Sequence, residues 1–168
     1  MFEKLFGRAK GTAAGTDQTS VPLDVIASMI EAGAGKVERG PGHVAFDGYG
    51  GRTTIEVAPV HQKTADGLEV EAVIKTRTDL NQDLPLDDRM FAVINTMASF
   101  GALLRDPKTG RLIVGSRVSV YRGDDVWRLY APLVAFGALL QAESVSALQR
   151  AWFENALEEG ERGIKGAD

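Results

Sequence analysis

Between Ser99 and Tyr121 two apolar runs are joined by Asp106-Pro107-Lys108-Thr109-Gly110, a spacing that leaves this segment one good local solution. Asp106 is placed to accept hydrogen bonds from nearby backbone N–H groups, Pro107 presets φ, and Gly110 takes the left-handed conformation that closes the loop. The expectation is a β-hairpin with a four- to five-residue connection. Beyond the loop, Leu112, Val114, Val118 and Val120 fall on one face of a strand, and Ile113, Arg117, Ser119 and Tyr121 on the other.

The 168 residues, 44% of them hydrophobic, suffice for one well-packed domain and are short for two. Residues 1–19 read as a flexible tail, 20–159 as a single α+β domain, and 160–168 as a frayed C-terminal tail. A net charge of −4 gives no electrostatic reason for a polyanionic partner, so nucleic acid is disfavoured. The absence of cysteine removes disulfides, thiolate zinc sites and a Cys nucleophile together. Met1–Lys10 is interrupted by Glu3, Lys4 and Arg8 and holds no signal-type apolar core, which places the chain in the cytoplasm. Phe2, Leu5 and Phe6 share one side of a short helix beside basic residues, the pattern of an interfacial anchor. Two turns bury too little apolar area to hold a membrane alone, so this segment supports peripheral contact at most.

Ser20 suits an N-cap, with Pro22 tolerated in the first turn, and Leu23, Ile26, Met29 and Ile30 follow at helical spacing until Gly33 and Gly35. The period then becomes two. Val37–Phe46 reads as one strand broken by Gly40-Pro41-Gly42. After the turn Asp47-Gly48-Tyr49-Gly50-Gly51 come strands over Thr53–His61 and Leu68–Thr78. In the last of these, Leu68, Val70, Ala72 and Ile74 alternate with Glu69, Glu71, Val73 and Lys75, predicting one buried and one wet face. Asp87 or Asp88 caps a second helix whose buried face is Leu86, Met90, Val93, Ile94 and Met97.

After the hairpin, Asp124 or Asp125 caps a last helix in which Val126, Leu129, Tyr130, Leu133, Phe136, Gly137 and Leu140 recur with helical period, while Trp127 and Val134 make the other side apolar too. Pro132 disfavours a straight helix by about 3 kcal/mol. Either the helix is kinked there, which is the expectation, or Val126–Tyr130 is a further strand and Pro132 opens the helix. The uncharged run Leu129–Leu140 is too short to cross a bilayer core of about 30 Å, so no transmembrane segment is expected. From Glu143 the pattern is amphipathic through Val145, Leu148, Trp152 and Leu157.

No motif names a reaction. Gly33-Ala34-Gly35-Lys36 ends a helix where a phosphate loop would precede one, and Gly48-Tyr49-Gly50-Gly51 lacks the dinucleotide spacing. His43 and His61, the only histidines, fall about 20 Å apart in an extended hairpin at about 3.3 Å per residue, too far to share a metal. Ser116 lacks the nucleophile-elbow glycine, and Asp87-Asp88 reads as a helix cap. Met90 and Met97 read as core. Glu69, Glu71, Lys75 and Arg77 share a strand face that reads as solvated, with cross-strand ion pairs. No catalytic residue, metal or cofactor is assigned.

The resulting order is helix, three strands, helix, hairpin, helix: an α+β chain with an antiparallel sheet of about five strands and three helices. Over Asp88–Leu140, a helix running into Phe100-Gly101-Ala102-Leu103-Leu104, a tight turn, Leu112–Tyr121 and a closing helix, the chain resembles the bacterial YbjN-like family, whose fold is similar to that of type III secretion chaperones. The resemblance implies a small binding or chaperone-like module, often dimeric, without a catalytic residue to carry over. The chain departs from that family in the aliphatic richness of Val126–Leu140 and in Pro132. A helix apolar all round must bury both sides, which makes Trp127, Tyr130, Leu133, Val134, Phe136 and Leu140 the candidate interface for a homodimer or for a protein or peptide partner. The competing expectation is a small-ligand sensor or enzyme built on Glu69, Glu71, Lys75 and Arg77 with Tyr49 or His61.

Overall fold

Helix α1 (Ser20–Ala34) ends where Gly35 turns left-handed, at φ 87°, and donates its N–H to the Glu31 carbonyl at 3.2 Å. Gly33 is still helical, so Gly35 supplies the stop. Leu23, Ile26, Ala27 and Ile30 are buried along one face, as the helical spacing required. The computed structural model describes residues 20–97, 101–123 and 125–165. The anchor reading of Phe2, Leu5 and Phe6, and the start of the hairpin at Ser99 and Phe100, lie outside the described residues.

Strands β1 (Val37–Gly40), β2 (His43–Gly48), β3 (Gly51–Lys63) and β4 (Glu69–Leu80) form an antiparallel meander. Helix α2 (Asp88–Met97) precedes the hairpin of β5 (Ala102–Arg105) and β6 (Leu112–Tyr121), and α3 (Val126–Lys165) closes the fold. The sheet order is β1-β2-β3-β4-β6-β5, because β6 inserts beside β4 and pushes β5 to the edge. The chain is therefore α+β, with three helices among the described residues, and all three pack against the same face of the sheet.

One core lies between α1, α3 and the sheet, where Ile26 and Ile30 meet Val44, Phe46, Ile55, Val57, Ile74 and Val120. A second gathers Leu80, Leu84, Leu86, Leu103, Leu112 and Val114 under α2 and Val145 of α3. Between them runs a polar seam. Gln141 of α3 donates from Nε2 to the Thr78 hydroxyl and the Val114 carbonyl, each at 2.9 Å, and Thr78 hydrogen-bonds Thr53 at 2.8 Å. All three side chains are buried. Nearby, the Gly50 N–H donates to Ser146 Oγ at 3.0 Å, and that hydroxyl donates to the Ala142 carbonyl at 2.9 Å. A Cβ at Gly50 would stand 2.7 Å from the Ser146 backbone nitrogen, so the β2–β3 turn docks directly on the α3 backbone.

Several expectations are corrected. Pro41-Gly42, with Gly42 at φ 71°, has the residue order of a type II turn and folds the single broken strand into the β1–β2 hairpin, so the described residues form six strands where about five were expected. Leu68 lies just before β4 and is exposed. On α2, Asp87 caps the helix through the Met90 N–H at 2.7 Å, as expected of this position, but Met90 and Val93 are exposed. The helix turns Phe91 and Ile94 toward the core instead, and the Met97 side chain lies outside the described residues. The helix over Val126–Tyr130 is continuous with the rest of α3, which removes the strand alternative; Pro132 sits exposed near its N-terminal end. α3 also passes through Gly160 to Lys165, into the stretch read as a frayed tail.

Two sets of substitutions check this packing. Gly50→Ala should lower stability by about 1–3 kcal/mol through overpacking against α3, read as a reduced urea midpoint. Gln141→Leu should lose about 1–3 kcal/mol by stripping the Val114 carbonyl of its donor, whereas Gln149→Leu, which removes a buried amide nitrogen with no partner, should be neutral or stabilising. Equal effects of the two glutamine changes would contradict the assignment.

Candidate functional site

The described residues offer two surfaces of interest, the outer side of α3 and the uncovered face of the sheet. On α3 the residues turned inward are small: Ala131, Ala135, Ala138 and Ala142 pack with Val134. Three bulky apolar residues are turned outward. Leu129, Leu133 and Phe136 are 70%, 52% and 59% exposed, and Leu140 is half-buried in line with them. Spaced by 4, 3 and 4 residues, these four form one straight apolar stripe about 16 Å long at 1.5 Å per residue.

The expected interface set is thus divided. Leu133 and Phe136 are on the stripe, and Leu140 borders it. Trp127 and Tyr130 are half-buried against the α1 core, and Val134, at 5% exposure, belongs to that core, so it is removed from the set. Leu129 was missing from the set and is the most exposed member of the stripe, although its 4-3-4 spacing was present in the chain. By length and composition, Val126–Leu157 is a helix long and apolar enough to cross a membrane, with a mean hydropathy of 1.4. The uncharged run Leu129–Leu140 is part of this longer helix, which continues well past Leu140. Its inward side, however, forms a wall of this chain's own core.

The uncovered sheet face does not assemble the expected polar constellation. Tyr49 sits in the β2–β3 turn beside α3, while Glu69 lies at the opposite end of β3, roughly 35 Å away along a strand rising about 3.3 Å per residue. Glu69 and Arg77 are each engaged in ion pairs. Glu69 receives Arg122 at 2.6 Å and Lys63 at 3.4 Å, and the hydrogen bond from Lys63, then the charge of Arg122, hold its carboxyl below the usual range. Lys63, Glu69, Glu71 and Arg122 line a shallow cavity of about 170 Å³. The His61 side chain lies outside the described residues; its backbone is five positions along β3 from Glu56, the partner of His43. Five positions span roughly 16 Å, so the two histidines stand apart, a little closer than expected.

Arg77 is a structural clamp. It donates from Nε to Asp79 at 2.9 Å and from Nη2 to Asp106 at 2.7 Å, tying β4 to the β5–β6 loop. Asp106 also accepts the Lys108 N–H at 2.8 Å and the Thr109 N–H at 3.3 Å, while Gly110, at φ 72°, donates to the Asp106 carbonyl at 2.8 Å. The loop closes by the chemistry its residues require. The Lys108 amide first, and Arg77 second, hold the Asp106 carboxyl below the usual carboxylate range.

Two further features bear on binding. On edge strand β5, the Asn95 side chain takes the Leu103 N–H at 2.7 Å and donates to the Leu103 carbonyl at 3.0 Å, so its amide stands where a further strand would pair. An open groove of about 430 Å³ lies between Tyr49, Asn81 and the Gln149–Leu157 segment of α3. Among the described residues no three His, Cys, Asp or Glu side chains converge as metal ligands. No protein-family model, curated protein or solved structure matches this chain.

Asp106→Asn tests the clamp. The folded carboxyl has a depressed pKa, so its contribution is complete above the ordinary value of about 3.9 and is lost as the pH falls through the lower folded value. The variant should melt below wild type at pH 7, and the gap should close in acid. A gap of constant size down to pH 2 would mean that Asp106 does not act through its charge.

Proposed function

We propose that this chain is a cytoplasmic, non-enzymatic protein-binding module of chaperone-like or regulatory type, acting as a dimer and presenting the outer side of α3 to another polypeptide. The observation that carries this reading is the stripe of Leu129, Leu133 and Phe136, each more than half exposed on a helix whose small residues face inward. A helix that needed only to cover its own sheet would gain by the reverse arrangement, since apolar burial contributes about 25 cal/mol per Å². The order of the elements and the resemblance to the YbjN-like family support the same reading. The ion pairing of Glu69, Arg77 and Asp106 favours it over a ligand-binding or catalytic sheet face, because groups engaged with one another hold the strands together.

Leu133→Asp is the direct test, since Leu133 is outside the core and its replacement leaves the packing intact. Trp127 is a poorer probe because it packs against the α1 core. In sedimentation velocity the wild type should gain mass with concentration, and Leu133→Asp should remain a monomer with an unchanged circular dichroism spectrum. A wild-type chain that stays monomeric at every concentration and captures no polypeptide would overturn the proposal.

A further inference from the structure

Resting on the reading of this chain as a polypeptide-binding module, we propose that the groove between the β2–β3 turn and the Gln149–Leu157 segment of α3 is a second binding site, separate from the stripe, which takes an extended segment carrying a large apolar side chain beside a lysine or arginine. The side of α3 that bears the inward alanines continues from Ala142 through Ser146, Gln149, Phe153 and Leu157, at steps of four, three, four and four residues. Burial along that side stops abruptly: Gln149 is 7% exposed, Phe153 42% and Leu157 69%. The break falls where the sheet ends, since the β2–β3 turn meets α3 at Gly50 and Ser146 and the helix runs on past it. Phe153 and Leu157 are therefore directed as core residues are, with no strand beneath them among the described residues.

Polar groups at the same place suit a peptide. Gln149 lines the groove, and its buried Nε2 has no hydrogen-bond partner. A carboxamide offers a donor and an acceptor, the complement of one peptide group, so a backbone carbonyl seated there satisfies a donor that the chain alone leaves unpaired. The facing wall is fixed in position: Asn81 donates its backbone N–H to the Gly50 carbonyl at 3.1 Å and its Nδ2 to the Tyr49 carbonyl at 3.4 Å, holding the turn that presents the exposed Tyr49 ring. Charge selects the kind of segment. Arg150 is taken by Glu143 at 2.9 Å, whereas Glu154 forms no ion pair among the described residues, so the groove presents a free carboxylate without a free cation beside it. A phosphate or an acidic segment would meet repulsion there; a lysine or arginine is complementary. From Gln149 to Leu157 the groove runs about 12 Å at 1.5 Å per residue, room for about four extended residues at about 3.3 Å each. It is an open trough, unlike the enclosing pockets that hold small molecules.

The full chain is panned against a displayed library of random dodecapeptides, and enriched sequences are synthesised and titrated by calorimetry. The expected result is enrichment of sequences in which leucine, isoleucine or an aromatic residue adjoins lysine or arginine. Their affinity should fall about tenfold in Gln149→Leu and in Phe153→Ser, and stay unchanged in Leu133→Asp, with circular dichroism and urea midpoints showing each variant folded. Glu154→Lys should weaken the same peptides and prefer versions whose lysine or arginine is replaced by glutamate. Affinity insensitive to both Gln149→Leu and Phe153→Ser would overturn the site; if it is lost in Leu133→Asp instead, polypeptide binding belongs to the stripe and the broader reading stands. Enriched peptides without a basic residue, or an unchanged preference in Glu154→Lys, would overturn the charge assignment. A library that yields no binder would overturn the site altogether, and together with a wild-type chain that stays monomeric it would remove the broader reading as well.

Discussion

Alanines at 131, 135, 138 and 142 set how closely α3 lies on the sheet, and most of the molecule depends on that distance. With side chains this short, the α3 backbone comes near enough for the β2–β3 turn to touch it at Gly50 and Ser146. It also brings Gln141 within reach of Thr78 and the Val114 carbonyl. The volume that larger inward residues would have occupied is filled from the strands and α1 by Ile26, Ile30, Phe46, Ile55 and Ile74. Along this segment Leu129, Leu133 and Phe136 are left on the outer side.

The buried polar seam gives that helix a register. An apolar helix on an apolar sheet can slide by a turn with little change in buried area, but the bonds of Gln141 to Thr78 and the Val114 carbonyl, and of the Gly50 N–H to Ser146, form in a single arrangement. Leaving a buried donor or acceptor unpaired costs about 1–3 kcal/mol, enough to exclude the neighbouring registers. Only Gln149 breaks this accounting among the described residues, with a buried amide nitrogen that has no partner.

On the opposite face the charges serve the sheet. Arg77 joins β4 to the loop that closes the β5–β6 hairpin, and Glu69 joins the end of β4 to Lys63 and Arg122. Asp106 is buried while Arg77 and Glu69 are partly exposed, and the Arg77–Asp106 and Arg122–Glu69 pairs each join segments distant along the chain. The outer side of α3 differs from that face: Leu129, Leu133 and Phe136 are exposed there and no charged residue lies between Leu129 and Leu140.

The sequence by itself determined the pieces whose chemistry is local: α1 with its glycine stop, the Asp87 cap, the turn at Gly48–Gly51, and the loop in which Asp106, Pro107 and Gly110 each do what its residue type demands. These depend on partners a few residues away, so spacing specifies them. Tertiary structure alone decided which side of α3 is buried, because a helix apolar all round carries no periodic signal to orient it; the sheet chose the side with the smallest side chains and stranded Leu129, Leu133 and Phe136 outside. It likewise turned Phe91 inward and Met90 outward on α2, since the outcome there rests on what lies across the core rather than on what lies next in the chain.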